Sequence, residues 1–287
     1  MTVFTCLKEN RVASFLLVMV AYAVAITLGV FTYLLISLPW YLKLLLADVV
    51  ATAAVYLFSL LYGNASTYDA YWSVQPIVIL VGYALFSEMT PVRLLLLIAV
   101  LLWGVRLTVN WGYTFQNLHW QDWRYTMLRE KTGAFYPLVS FLGIHLFPTL
   151  VVYTCILPAA YAFQYTVAWN VGSIVFFLLS VLATLLQGIA DVEMHAYRKN
   201  KSTPFIRNGL WRYSRHPNYL GEILMWWGIA LAVVSVFPHR FLLVAGACIN
   251  TLMFLFISIP MADRRQSEKE GFDEYKTQTR MLLPIKK

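Results

Sequence analysis

Gly209-Leu210-Trp211-Arg212-Tyr213-Ser214-Arg215-His216-Pro217-Asn218-Tyr219-Leu220-Gly221-Glu222 is the densest run of polar chemistry in a very apolar chain. Its reading decides the fold. Basic residues crowd the first half, and apolar sequence continues from the second half to Val236. Pro217 suits the first turn of a helix, where a missing N–H is harmless. Asn218, Tyr219 and Glu222 then stand at i, i+1 and i+4, so Asn218 and Glu222 share a helix face. An acid and an amide on one face of an apolar helix read as a site, because polar groups inside a membrane are costly. The same residues also fit a juxtamembrane basic loop that feeds a snorkelling helix end.

The rest of the chain supports a membrane setting. Its 287 residues are 60% hydrophobic and only 13% charged, with a mean hydropathy of +0.65. A soluble domain carries roughly 25% charged residues. The expected fold is therefore an all-α, polytopic transmembrane bundle. One integral domain over 1–287 is expected, with N-terminal spans in 1–66 and the functional region in 67–287. About eight apolar runs approach the roughly 20 residues that cross a ~30 Å hydrocarbon core. They lie at 12–36, 44–62, 70–87, 92–111, 134–161, 162–190, 218–236 and 241–261. The third is short and interrupted by Pro76, and a re-entrant third run would leave seven. Pro148 is expected to kink the fifth. The turn Phe237-Pro238-His239-Arg240 makes the last two a hairpin.

Charge gives an orientation. The formal net charge is +8, and Lys and Arg concentrate in 106–131, in 191–217 and beyond 261. With eight spans these segments fall on one side, so both termini are expected to be cytoplasmic. The first run is too long for a signal peptide and reads as a retained span. An endoplasmic reticulum membrane and a bacterial inner membrane fit equally. Three distant cysteines without a CxxC indicate neither zinc nor a disulfide framework. No GxGxxG, Walker A, GxSxG or HExxH pattern is present. Neither a metal nor a nucleic-acid partner is expected. The basic segments suit an anionic ligand, either a phosphate-bearing dinucleotide or lipid headgroups. Asp191, His195 and Arg198 share one helix face at i, i+4 and i+7. Tyr68-Asp69-Ala70-Tyr71-Trp72-Ser73-Val74-Gln75-Pro76 places an acid among aromatics before a broken helix. It reads either as an apolar ligand pocket or as an interfacial aromatic belt.

These residues carry a resemblance. Tyr68-Asp69-Ala70-Tyr71-Trp72-Ser73, Leu107, Asp122-Trp123-Arg124-Tyr125 with Arg129, 191–199, 209–222, Tyr275 and Leu283-Pro284 together resemble the steroid 5-alpha-reductase superfamily. Within it they resemble the group called domain of unknown function 1295. The resemblance covers most of the chain from about Ser66 onward. It implies an NADPH-dependent reductase of a carbon–carbon double bond in a hydrophobic, steroid-like or other lipid substrate, acting as a monomer or weak oligomer. By position, Asn218 and Glu222 would hold the nicotinamide amide. Gln187, Asp191, Arg198 and Arg207 would line the ribose and phosphates. His195, Arg215, His216, Tyr219, Arg264, Arg265 and Tyr275 complete the implied cofactor set. On the substrate side the steroid reductases place a Glu before a Pro, and here Gln75-Pro76 stands in that place. A Gln cannot supply a proton, which turns attention to Asp69 and Tyr71. The block from Arg215 to Glu222 also resembles isoprenylcysteine carboxyl methyltransferases and phospholipid methyltransferases. That implies an S-adenosylmethionine alternative, with Glu222 and His216 near the amino-acid moiety. A non-enzymatic lipid-binding protein of the same fold is the third reading.

Overall fold

The structure, a computed structural model, describes residues 3–165 and 168–284. The helices are α1 (Val3–Glu9), α2 (Arg11–Leu35), α3 (Trp40–Tyr62), α4 (Tyr71–Phe86), α5 (Pro91–Thr114), α6 (Trp123–Thr132), α7 (Tyr136–Val139), α8 (Phe147–Gln164), α9 (Val171–Lys199), α10 (Pro217–Val236), α11 (Ala245–Met253), α12 (Ile259–Gln266) and α13 (Phe272–Gln278). Among the described residues, eight helical stretches are long and apolar enough to cross a membrane. Large apolar side chains such as Val12, Leu16, Met19 and Leu35 stay exposed along α2, as a lipid-facing surface requires. The chain is an all-α polytopic membrane protein.

Pro76 corrects one expected break. Pro76 does not interrupt the third span but sits inside α4. The carbonyl it deprives, four residues back, belongs to Trp72 in the first turn, so little of the helical ladder is lost. Pro148 is the second residue of α8. A π-helical turn, Ser140–Leu146, precedes it, and a second π turn, Phe254–Ser258, precedes Pro260. Both prolines follow their π turn by two positions. A proline ring clashes with the carbonyl four residues before it, and the wider π winding moves that carbonyl aside. The sixth span also starts later than expected, at Val171, where Asn170 and Ser173 form a capping box.

The chain forms two compact units, each built from separated segments. The first holds Met1–Gly82 and Leu107–Tyr153. Here α2 and α3 pack through small residues, since a Cβ on Gly29 would lie 3.2 Å from the Ala47 carbonyl oxygen. Asn64 fixes the loop that follows α3: its Nδ2 donates to the carbonyls of Leu118 and Trp120, each at 2.8 Å. Val18, Ala21, Tyr22, Val55, Tyr62, Tyr68, Tyr71 and Phe115 form the core around this frame.

The second unit holds Tyr83–Arg106 and Thr154–Lys287. Helices α9 and α10 approach closely because α10 carries glycine where α9 crosses it. A Cβ on Gly221 would lie 2.4 Å from Gln187 Cγ and 2.7 Å from the Ala183 carbonyl oxygen. Ser180 Oγ donates across the contact to the Met225 carbonyl at 3.1 Å. At the far end Asn170 Nδ2 donates to the Ser235 carbonyl at 2.7 Å. Buried Arg93 gathers three carbonyls, those of Glu88, Ala162 and Tyr165.

Candidate functional site

The α10 face read from the sequence is a buried polar surface. Glu222 is buried, and both of its oxygens are taken by indoles. Trp103 Nε1 donates to Oε2 at 2.8 Å, and Trp226 Nε1 donates to Oε1 at 2.9 Å. The two indoles meet edge to face with centroids 4.8 Å apart. Trp226 is one turn beyond Glu222 on α10, whereas Trp103 comes from α5. One turn of α10 toward its start, Asn218 Oδ1 is buried without a partner among the described residues. Gln187 of α9 lies against Gly221, between those two positions. Its side chain is 1% exposed, and neither Nε2 nor Oε1 has a partner among the described residues. Buried polar groups are nearly always hydrogen-bonded, so an orphaned carboxamide marks a candidate site. Asp191, one turn further along α9, binds Arg106 Nη1 at 2.5 Å, while Arg106 Nε is buried with no partner among the described residues.

A second group of the predicted residues is committed to the fold. Arg215 Nη2 binds Asp263 Oδ2 at 2.9 Å, and its Nη1 donates to the Thr279 carbonyl at 2.7 Å. His216 Nε2 lies 2.8 Å from Asp263 Oδ1. The His216 ring stacks on Tyr219, at 5.2 Å between centroids. Tyr275 donates to the Trp211 carbonyl, and burial pushes its hydroxyl pKa up. Phe205, Phe272 and Tyr275 close an aromatic cluster beneath. Together these contacts staple the C-terminal segment to the 209–216 loop. That loop is set by Gly209, whose φ of +58° suits glycine, and by Glu193, which accepts from Leu210 N at 2.9 Å. Arg198, Arg207, Arg264 and Arg265 are exposed, and His195 is half-buried on α9. Partial burial and the neighbouring Arg265 and Lys201 cations lower the Lys269 pKa, the mark of a positive local field.

In the first unit, Tyr68 to Gln75 is buried as a block, apart from half-buried Asp69, Trp72 and Val74. Asp69 accepts from Tyr125 Oη at 2.5 Å. Ser66 Oγ accepts from Asp122 N at 3.0 Å, and Gln121 Oε1 accepts from Ala65 N at 3.0 Å. The Tyr-Asp-Ala-Tyr-Trp-Ser and Asp-Trp-Arg-Tyr motifs therefore meet. Gln75 Nε2 donates to Asp48 Oδ2 at 2.6 Å. Tyr71 meets Thr52, which meets Thr149 at 2.9 Å, and Thr149 meets Tyr68 at 2.8 Å.

Sequence reasoning missed Trp103, Trp226, Asp263 and Asp48 as partners. Asp48 alone carried a signal, as the single acid in an otherwise apolar span.

The profile of a family described as "Protein of unknown function (DUF1295)" matches residues 55–279. That range takes in the Glu222 face, the C-terminal staple and the Asp69–Tyr125 contact. The Schizosaccharomyces pombe "Uncharacterized protein C594.04c" is 28% identical over 194 residues, 57% of this chain and 56% of that protein. The match therefore spans little more than half the length of that relative. No solved structure matches the chain. With most of its length, and both of its motif clusters, inside the matched range, the chain belongs to the DUF1295 family.

Proposed function

We propose that the chain is an NADPH-dependent reductase of a carbon–carbon double bond conjugated to a carbonyl, in a hydrophobic steroid-like or other lipid substrate, with the steroid 5-alpha-reductases as wider kin. The observation that carries this reading is the orphaned Gln187 carboxamide beside Asn218 and Glu222. A nicotinamide carboxamide presents two N–H donors and one carbonyl acceptor. Gln187 Nε2 offers a donor, while Gln187 Oε1 and Asn218 Oδ1 offer acceptors. Glu222, held by two indoles, keeps this face rigid and polar. Asp191, His195 and Tyr219 flank the same helices. The exposed guanidiniums of Arg198, Arg207, Arg264 and Arg265 suit the cofactor's phosphates. Arg215, His216 and Tyr275 support the site by holding the C-terminal segment rather than by touching the cofactor. NADPH, when bound, supplies a hydride. Asp69, Tyr71 and Gln75 are proposed on the substrate side, in the first unit. The basic segments and both termini face the cytoplasm in this reading, in an endoplasmic reticulum or bacterial inner membrane.

The test is ligand-induced stabilisation of the purified chain, since a ligand that binds the folded state raises its melting temperature. NADPH is expected to raise it, and Asn218→Ala is expected to weaken NADPH binding about tenfold, or about 1.4 kcal/mol. Stabilisation by S-adenosylmethionine and not by NADPH would overturn the reading in favour of a methyltransferase. Stabilisation by neither would leave a lipid-binding protein of this fold.

A further inference from the structure

Asp48 stands on α3, before the 55–279 range that defines the family match. Its side chain is 4% exposed, and that of Gln75 on α4 is 6% exposed. The two share one hydrogen bond, from Gln75 Nε2 to Asp48 Oδ2 at 2.6 Å. The remaining polar atom of each, Asp48 Oδ1 and Gln75 Oε1, is buried with no partner among the described residues. One turn along both helices, Thr52 and Tyr71 form a second rung. Thr149 and Tyr68 extend it into a row of buried hydroxyls. No Lys or Arg pairs with Asp48 among the described ion pairs. A buried carboxyl group without a cation, half satisfied by an amide, is an unusual arrangement. By the resemblance, Gln75 stands where the steroid reductases carry a Glu, and it has no proton to give. The acid one hydrogen bond away does.

We propose that the Asp48–Gln75 pair receives the carbonyl oxygen of an apolar ligand, and that Asp48 Oδ1 is the group that donates to it. This rests on the reductase reading for its ligand class, an enone with one oxygen at the end of an apolar body. Asp48 takes the role of acid in place of Gln75, and Asp69 is left to its contact with Tyr125. Gln75 orients Asp48 by donating to Oδ2, which leaves the O–H of the acid form on Oδ1 toward the ligand.

The test measures binding of radiolabelled cholest-4-en-3-one to the purified full chain in lipid nanodiscs, without NADPH. Cholest-4-ene, which lacks the oxygen, serves as competitor. Asp48→Leu is expected to weaken enone binding at least tenfold. Asp48→Asn, whose amide still donates, is expected to bind within a few-fold of wild type yet lose NADPH-dependent reduction. Infrared difference spectra supply a readout that needs no variant to turn over: a protonated-carboxyl band should shift when the enone is added and be missing in Asp48→Asn. Enone binding unchanged in Asp48→Leu, or no enone binding to wild type, overturns the proposal. Loss of NADPH stabilisation in wild type, with enone binding still dependent on Asp48, would sink the reductase reading and leave the carbonyl site standing.

Discussion

Glu222 and Asp48 are both buried acids in membrane helices, and they are held in opposite ways. Both Glu222 oxygens accept from indole N–H groups, one from its own helix and one from α5. Among the described residues, Asp48 has one amide partner and a second oxygen with none. A saturated acid is a structural fixture that gives a helix face its polarity. A half-saturated acid leaves a place for something to arrive. The orphaned groups, Gln187 in one unit and Asp48 with Gln75 in the other, mark candidate sites better than the presence of a charge does.

The contrast can be sharpened by removing a fully committed acid. Asp263→Ala strips buried Arg215 of its carboxylate and His216 of its partner. Breaking a buried ion pair from one side destabilises by about 3–5 kcal/mol. A large fall in thermal midpoint is expected, with faster protease cleavage of the segment after α12. A wild-type protease pattern would show that the staple is not holding that segment.

Next in size is Glu222→Leu. Two buried indole N–H groups lose Glu222 as acceptor, at roughly 1–3 kcal/mol for each group. Thermal denaturation should show a clear loss, in the same range as that of Asp263→Ala but without its change in protease cleavage. The comparison breaks if this variant melts with wild type, because the indoles would then not depend on the acid.

Asp48→Asn should have the smallest effect. An Asn oxygen can still accept from Gln75, so the midpoint should move by no more than about 1 kcal/mol equivalent. A loss exceeding that of Glu222→Leu would reverse the comparison, making Asp48 the structural acid.

The spans were legible because apolar run length and helix signals are local. The seventh was expected at 218–236 and lies at Pro217–Val236. Pro217 at the helix start and the polar residues behind it gave that boundary away. Pro76 was read less well. Whether a proline breaks a helix depends on where its lost hydrogen bond falls, and Pro76 loses one near a helix end. Candidate residues were legible as types in a pattern, and their partners were not. Trp103 and Glu222 are 119 residues apart, and Arg215 and Asp263 are 48 apart. Nothing in the periodicity of either segment records the other. For the same reason the shared carboxylate of Arg215 and His216 was not legible, because Asp263 comes from a distant helix.

A π turn winds one more residue into a helix than an α turn needs. Remove any one residue from Phe254–Ser258, and the helix could resume ordinary winding. Every residue beyond the deletion would keep its angular place, because the π turn had absorbed the residue that was removed. Asp263, five positions past the π turn, would still face Arg215 and His216. The same deletion in a stretch of regular α-helix would rotate everything beyond it by about 100° and swing the carboxylate away. The π turn is therefore a place where the chain can lose one residue and keep the anchor made by α12.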